Sequence, residues 1–172
     1  LNIHGFGHPQ LFHLYKEIFL KQDYAMDLGT DTPVIVDCGS NIGTSIAFFK
    51  RLYPKARITG FEPHPTLFPV LKGNMERNGL KDVELHNCAL GKDPGVVPFH
   101  VSRNPGSLRS SMRADRGGEV CIDVPLERLS DHLRRMERVD LLKIDVEGAE
   151  KAILEDLVAT GLLTKPRQIV LE

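Results

Sequence analysis

The chain has 172 residues, of which 41% are hydrophobic and 26% charged, enough for one domain that buries roughly two-thirds of its unfolded surface. A net charge of −1 gives no general attraction to nucleic acid or to an anionic membrane surface. No apolar run approaches the roughly 20 residues of a bilayer span, and no signal-peptide pattern opens the chain.

After a Gly- and His-rich lead-in, Leu11, Leu14, Tyr15, Ile18 and Phe19 recur at helical spacing. They predict an amphipathic helix whose apolar face covers a sheet or the mouth of a ligand site. Pro33 starts the first strand, Val34 to Cys38, which meets a glycine-punctuated turn, Gly39 to Gly43. That turn opens into a helix from about Thr44 to Leu52, ending before Pro54. The second strand ends at Phe61-Glu62, and Pro65 is expected in the first turn of a helix terminated by Asn78-Gly79. Val83 to Cys88 is the third strand, with Ala89-Leu90-Gly91 turning out of it.

Gly95 to Val101 and Glu119 to Val124 read as two more strands flanking a polar stretch, Ser102 to Gly118. That stretch carries Arg103, Arg109, Arg113 and Arg116 and reads as a long exposed loop. Solvation is the default for each arginine; together they are candidates for an anionic acceptor or a flap over the ligand. Leu126, Leu129, Leu133 and Met136 mark a further helix. Val139 to Val146 is a largely apolar fourth central strand carrying Lys143. Glu147-Gly148 leads into a helix of about Ala149 to Ala159, and Gln168 to Leu171 begins a fifth strand. Strands alternating with helices of this length predict a mainly parallel sheet covered on both faces, an α/β fold with a strand-and-loop insertion. We expect residues 1–32 to be a helical lead-in and 33–172 to be the ligand-binding domain. The initial Leu1 and the end at a strand edge lead us to expect a longer polypeptide.

Cys38, Cys88 and Cys121 are odd in number and far apart, as expected of reduced thiols in a cytoplasmic protein. No Cys-x-x-Cys pair is present and the histidines form no recognisable site, so no metal is expected.

A strand, a turn without bulky side chains and a helix N-terminus together make a nucleotide cradle. Glu62 follows one strand–helix–strand unit later, where an acid can grip ribose hydroxyls. The spacing Gly-x-x-x-Gly departs from the dinucleotide pattern Gly-x-Gly-x-x-Gly, and Asp37 sets a negative charge where a pyrophosphate would need room. A ligand with a ribose and no phosphates, such as S-adenosylmethionine, suits these residues better.

Three separated blocks carry a family resemblance: Val36-Asp37-Cys38-Gly39-Ser40-Asn41-Ile42-Gly43, Phe61-Glu62-Pro63-His64-Pro65, and Asp140-Leu141-Leu142-Lys143-Ile144-Asp145-Val146-Glu147-Gly148-Ala149-Glu150. With weaker matches at Ala89-Leu90-Gly91 and Leu126 to Leu129, the chain from about residue 15 onward resembles the FkbM-type methyltransferases. The resemblance implies a Rossmann-like class I fold and S-adenosylmethionine-dependent methylation, usually of a hydroxyl on a sugar, glycolipid or secondary metabolite. A complete class I sheet has seven strands; the pattern here reaches the fifth and lacks the C-terminal hairpin.

Within the first block, Asp37 is a candidate for the cofactor's ammonium, or simply orients the turn. Gly39 and Gly43 allow close backbone approach, with Ser40 beside them. Asn41 is expected to take a left-handed conformation or to donate to the cofactor carboxylate, and Thr44 to cap the following helix. Glu62 is expected to be the ribose acid rather than an ordinary solvent-facing acid at a strand end, with Pro63 next to it; His64 is expected to contact the adenosine or to be an exposed turn residue. Many class I enzymes hold adenine with an acid after the third strand, where this chain has Ala89, so backbone contacts from Ala89 or Leu90, assisted by Asn87, are expected. Lys143, Asp145 and Glu147 share one facing parity if their strand stays regular. A buried lysine needs an anion, so Lys143 is expected to pair with Asp145 or Glu147. Asp145 is the first candidate base or acceptor orienter, Glu147 the second, and Lys143 their electrostatic partner. For Asp145 the bland alternative is a helix cap near Gly148.

The sequence therefore points to a methyltransferase for a small-molecule or glycan hydroxyl. The competing reading is a cofactor-binding scaffold without turnover of its own. A nucleotide-dependent oxidoreductase is disfavoured by the missing glycine pattern, and nucleic-acid methylation by the short basic loop and the few aromatics.

Overall fold

The computed structural model describes residues 1–5, 7–103, 110–112 and 118–172. In chain order these form α1 (His8–Tyr15), a π-helical turn (Lys16–Lys21), β1 (Val34–Cys38), α2 (Thr44–Leu52), β2 (Arg57–Phe61) and α3 (Leu67–Arg77). There follow β3 (Val83–His86), β4 (Ala89–Leu90), β5 (Gly95–Val101), β6 (Ser110–Ser111) and β7 (Val120–Glu127). The chain closes with α4 (Leu129–Arg135), β8 (Val139–Ile144), α5 (Glu150–Ala159) and β9 (Pro166–Leu171).

The β-branched run of β1 is buried along its whole length because β1 is the middle of a five-stranded sheet, order β3-β2-β1-β8-β9. Every pairing in that sheet is parallel. The two-residue period of a strand divides its core in two. Ile35, Ile58 and Leu141 pack with Ile46 and Phe49 of α2 and with Leu71 and Met75 of α3. Val36, Phe61, Leu142 and Ile144 pack on the opposite face with Leu129 and Leu133 of α4 and with Ile153 and Leu157 of α5. Each fully buried aliphatic or aromatic side chain contributes about 1.5–3 kcal/mol.

Polar clamps fix the layers. Asp140, at the start of β8, accepts the Val34 N–H at 2.8 Å and an ion pair from Arg138 at 3.1 Å, tying the entrance of β1 to β8. Asp156 of α5 accepts both the backbone N–H and the hydroxyl of Ser130, joining α5 to α4. Asn74, wholly buried in α3, bonds the His4 backbone through both its amide oxygen and nitrogen, which docks the lead-in on the helical layer.

A second sheet, order β4-β7-β5-β6, stands beside the first. β5 and β7 run antiparallel from Gly95↔Leu126 to Val101↔Val120, around a small core of Ala89, Phe99, Val101 and Val124. Its parallel β4–β7 pairing brings Ala89 and Leu90 next to Leu126 and Glu127.

Several boundaries differ from the sequence expectation. Leu126 belongs to β7, because its partner Ala89 extends the ladder beyond Val124, so α4 begins only at Leu129. Val83–His86 and Ala89–Leu90 are separate strands in different sheets. The first helix widens into a π turn at Lys16; of the apolar face predicted for it Ile18 is buried, Leu11, Leu14 and Phe19 are half-buried, and Tyr15 alone is exposed. Pro65 precedes α3, whose N-cap is Thr66. Thr44 is the first residue inside α2 and makes no capping hydrogen bond; Gly43, at φ +89°, is the N-cap. Of the stretch Ser102 to Gly118, the structure describes Ser102, Arg103, β6, Met112 and Gly118; Arg109, Arg113 and Arg116 lie outside the described residues. Among the described residues no helix is long and apolar enough to cross a membrane.

Candidate active site

A cleft of about 300 Å³ opens at the carboxyl edge of β1, β2 and β8. The three sequence blocks meet there because parallel strands all present their C-terminal turns at the same edge. Gly39, at φ +85°, has no room for a side chain: a Cβ would run into the Asp145 carbonyl. The turns after β1 and β8 therefore lie in direct contact. Asn41 adopts the left-handed conformation expected of it, at φ +50°.

Glu62 leaves the end of β2 almost fully buried and lines the cleft. Its Oε2 accepts the Asn41 N–H at 2.8 Å and its Oε1 the His64 N–H at 2.9 Å, so the carboxylate is held rigidly against the glycine turn. Burial outweighs the opposing pull of the two N–H donors and Lys143 and leaves the Glu62 carboxyl raised to about 7. Each carboxylate oxygen keeps acceptor capacity, as ribose recognition requires. Pro63, Cys88, Ala89, Leu90 and Phe99 form a largely apolar wall beside it. Asn87 is not part of that wall; its amide donates to the Glu62 carbonyl at 2.8 Å and fixes the chain from behind. His64 is likewise turned away, buried, with Nδ1 accepting the Thr66 N–H at 3.1 Å.

The floor is built around Lys143. Asp37 and Lys143 are directly opposite in the β1–β8 register and point to the same face. The Lys143 Nζ lies 3.0 Å from Asp37 Oδ1, 3.5 Å from Asp145 Oδ2 and 3.1 Å from the Gly39 carbonyl. Asp37 is 0% exposed, and its Oδ2 accepts the Ser45 hydroxyl of α2 at 2.7 Å. The pairing with Asp145 matches the expectation; the closer partner is Asp37. Burial depresses Lys143, but Asp37 and Asp145 more than offset it and hold the ammonium above its ordinary range. Asp37 thus lies beneath the floor rather than among the residues lining the cleft, while Ser40, Asn41 and Thr44 reach the surface of the cleft.

Asp145 follows β8, with its N–H donating to the Cys38 carbonyl at 3.0 Å. About a third of its side chain is exposed to the cleft, and burial of the remainder raises its pKa against the pull of Lys143. It does not cap α5: Glu150 accepts the Val146 and Gly148 N–H groups and closes the turn. The strand does not stay regular, since Glu147 turns to φ +57° and is exposed at the cleft rim. Its carbonyl accepts the Ser111 hydroxyl of β6, which attaches the second sheet to the turn.

Two contributors escaped the sequence reading. Tyr24 places its ring 5.4 Å from the Lys143 ammonium and donates its hydroxyl to Glu172 at 2.7 Å. The first helix supplies Leu14, Glu17 and Ile18 to the cleft, so it does cover the ligand mouth. No sequence motif marks Tyr24 or Glu172, because each acts through a contact 148 residues away. Among the described lining residues, seven acidic side chains face one lysine, an environment suited to a cationic ligand.

The five-stranded parallel sheet, the tight glycine turn and the buried acid after β2 define a class I S-adenosylmethionine-dependent methyltransferase. Residues 37–172 match the Methyltransferase FkbM domain, and the chain belongs to that family. Methyltransferase sdnD of Sordaria araneosa is 38% identical over 173 aligned positions, covering 83% of this chain and 67% of that protein. The 2-O-methyltransferase NoeI of Sinorhizobium fredii is 32% identical over 158 positions, covering 81% of this chain and 63% of its own length. This chain thus spans about two-thirds of these relatives. A crystal structure of the SAH-bound Podospora anserina methyltransferase PaMTH1 superposes with a TM-score of 0.48 and 15% identity, over 94% of this chain and 60% of that one.

Proposed function

We propose that the chain methylates a hydroxyl oxygen on a small-molecule or glycan acceptor, with Glu62 anchoring the donor and Asp145 serving the acceptor. The observation that carries this reading is the single cleft with a rigid, buried carboxylate at one end and the Lys143–Asp145 pair at the other. NoeI, a 2-O-methyltransferase by name, supports oxygen as the acceptor atom.

Bound in the cleft, S-adenosylmethionine supplies a methyl group already activated on its sulfonium. The protein's task is then positioning and proton removal. Glu62 would accept hydrogen bonds from the ribose hydroxyls, and Ala89, Leu90 and Phe99, which line the cleft beside it, would shield the adenine. Gly39, Ser40, Asn41, Gly43 and Thr44 shape the turn that admits the amino-acid end, with Asp37 acting from below through Lys143. Asp145 takes the proton of the acceptor hydroxyl as that oxygen bonds to the methyl carbon and the methyl–sulfur bond breaks, its electron pair staying on sulfur, a contribution typically worth about 10²–10⁴-fold. Its raised pKa makes it a better base than an exposed aspartate. Glu147, at the rim, orients the acceptor. The unpaired cysteines, Cys38 and Cys88 among them buried, support a reducing, cytoplasmic setting.

Labelled S-adenosylmethionine incubated with the chain and a panel of sugar and polyketide alcohols tests this. The expected result is label in an ether-linked methyl and at least about a hundredfold lower kcat for Asp145→Asn, with cofactor affinity kept. Full turnover by Asp145→Asn would remove Asp145 from the base role. Label transferred only to nitrogen or carbon acceptors would overturn the assignment to oxygen.

A further inference from the structure

We propose that His86, Glu127 and His132 form a binding site for a divalent transition metal of the zinc class, clamping the edge of the central sheet to the second sheet. The inference is independent of the methyl-transfer reading. No metal was expected from the sequence, and the three residues, 41 and 5 positions apart in the chain, carry no ligand spacing that would mark them. The fold brings them together. His86 ends β3, the edge strand, Glu127 ends β7, and His132 lies on α4.

One ligand atom from each of the three lies within 4.8 Å of the others. The two imidazoles meet edge to face with centroids 4.7 Å apart, and both rest on Phe61, at 4.9 Å for His86 and 4.8 Å for His132. That aromatic floor restricts ring motion and supplies the apolar shell that strengthens metal–imidazole bonds. Glu127 Oε2 is 2.7 Å from His132 Nε2. A second observation points to a ligand. His86 Nε2 is shut off from solvent and makes no hydrogen bond, although Glu84 Oε1 is 3.1 Å away. A buried ring nitrogen without a hydrogen bond is costly, and coordination would satisfy it.

Two imidazoles and one carboxylate are a donor set for Zn²⁺, Co²⁺ or Ni²⁺, and are too nitrogen-rich for Mg²⁺ or Ca²⁺. The site is reachable: side-chain exposures are 24% for His86, 12% for His132 and 45% for Glu127. Small rotations of the three side chains would close the spacing to bonding distances of about 2.0–2.2 Å. Glu84 and water are available for the remaining positions. Leu90, paired with Glu127 in the β4–β7 ladder, lines the methyl-transfer cleft together with Cys88 and Ala89, so the clamp would sit directly behind that wall.

The test uses the intact chain, stripped with a chelator, dialysed and titrated with Zn²⁺ by calorimetry and with Co²⁺ by visible spectroscopy. We expect one equivalent bound at micromolar affinity or tighter, a visible Co²⁺ band, and a rise in Tm on adding Zn²⁺. His86→Asn combined with His132→Asn should abolish the band, and Glu127→Gln, at the exposed rim where folding is least disturbed, should weaken binding by about tenfold or more. Circular dichroism establishes that each variant is folded. Absence of binding by the parent chain at 100-fold excess metal would overturn the proposal and leave an aromatic cluster with an ordinary His–Glu hydrogen bond. Binding unchanged in folded Glu127→Gln and in the double variant would overturn it as well, by placing the metal on other histidines.

Discussion

Lys143 illustrates how a single buried charge organises the cleft. Its ammonium is 2% exposed and is held by Asp37, Asp145 and a carbonyl of the glycine turn, with the face of Tyr24 above it. Removing one member of a buried pair strands the other charge, at a cost of about 3–5 kcal/mol, whereas replacing both by apolar groups is far milder. Urea denaturation should therefore find Asp37→Leu destabilised by about 3–5 kcal/mol, with Asp37→Leu/Lys143→Met well short of the sum of the single changes. Strict additivity would show that the two residues do not act as a pair. Strand parity in the sequence pointed Lys143 toward Asp145, and that contact exists. Asp37 was out of reach of such reasoning, because the pairing of β1 with β8 is fixed by register between segments about 100 residues apart.

At the scale of elements, α4 and α5 form the layer behind the sheet, and the cleft lies on its edge. Leu133 of α4 is 0% exposed and packs with Leu129, Ile153 and Leu157. Leu133→Ala should lower stability by about 2–5 kcal/mol in thermal or urea unfolding, with binding of S-adenosylhomocysteine unchanged within about twofold when measured well below the Tm. A large loss of affinity in the folded variant would mean that this layer positions the cleft directly. The helical and strand periods made most elements legible: β1, α2, β2 and the strand carrying Lys143 sit close to where the alternation of apolar and polar residues put them. Legibility failed where tertiary pairing overrides local pattern. Leu126 has helical spacing to Leu129 and Leu133, yet the ladder with Ala89 holds it in β7. The π turn at Lys16 similarly follows from docking Ile18 into the core, which no local propensity announces.

Over the whole molecule, two sheets meet around one cleft, and the parallel sheet supplies its chemistry while the second sheet and the N-terminal helix wall it in. The turn residues and Glu62 were readable because glycine freedom and a strand-end acid leave local signatures. Tyr24, Glu172 and the His86–Glu127–His132 cluster were not, since each depends on chain closure over long separations. In this reading the cleft holds an adenosyl ligand through the Glu62 carboxylate. The deciding experiment is calorimetric titration of S-adenosylhomocysteine into the parent chain and into Glu62→Gln. One site per chain is predicted, with affinity about 10- to 100-fold weaker in the glutamine variant, the value of charge-assisted hydrogen bonds lost. No binding by the folded parent, or equal affinity in the two proteins, would contradict it.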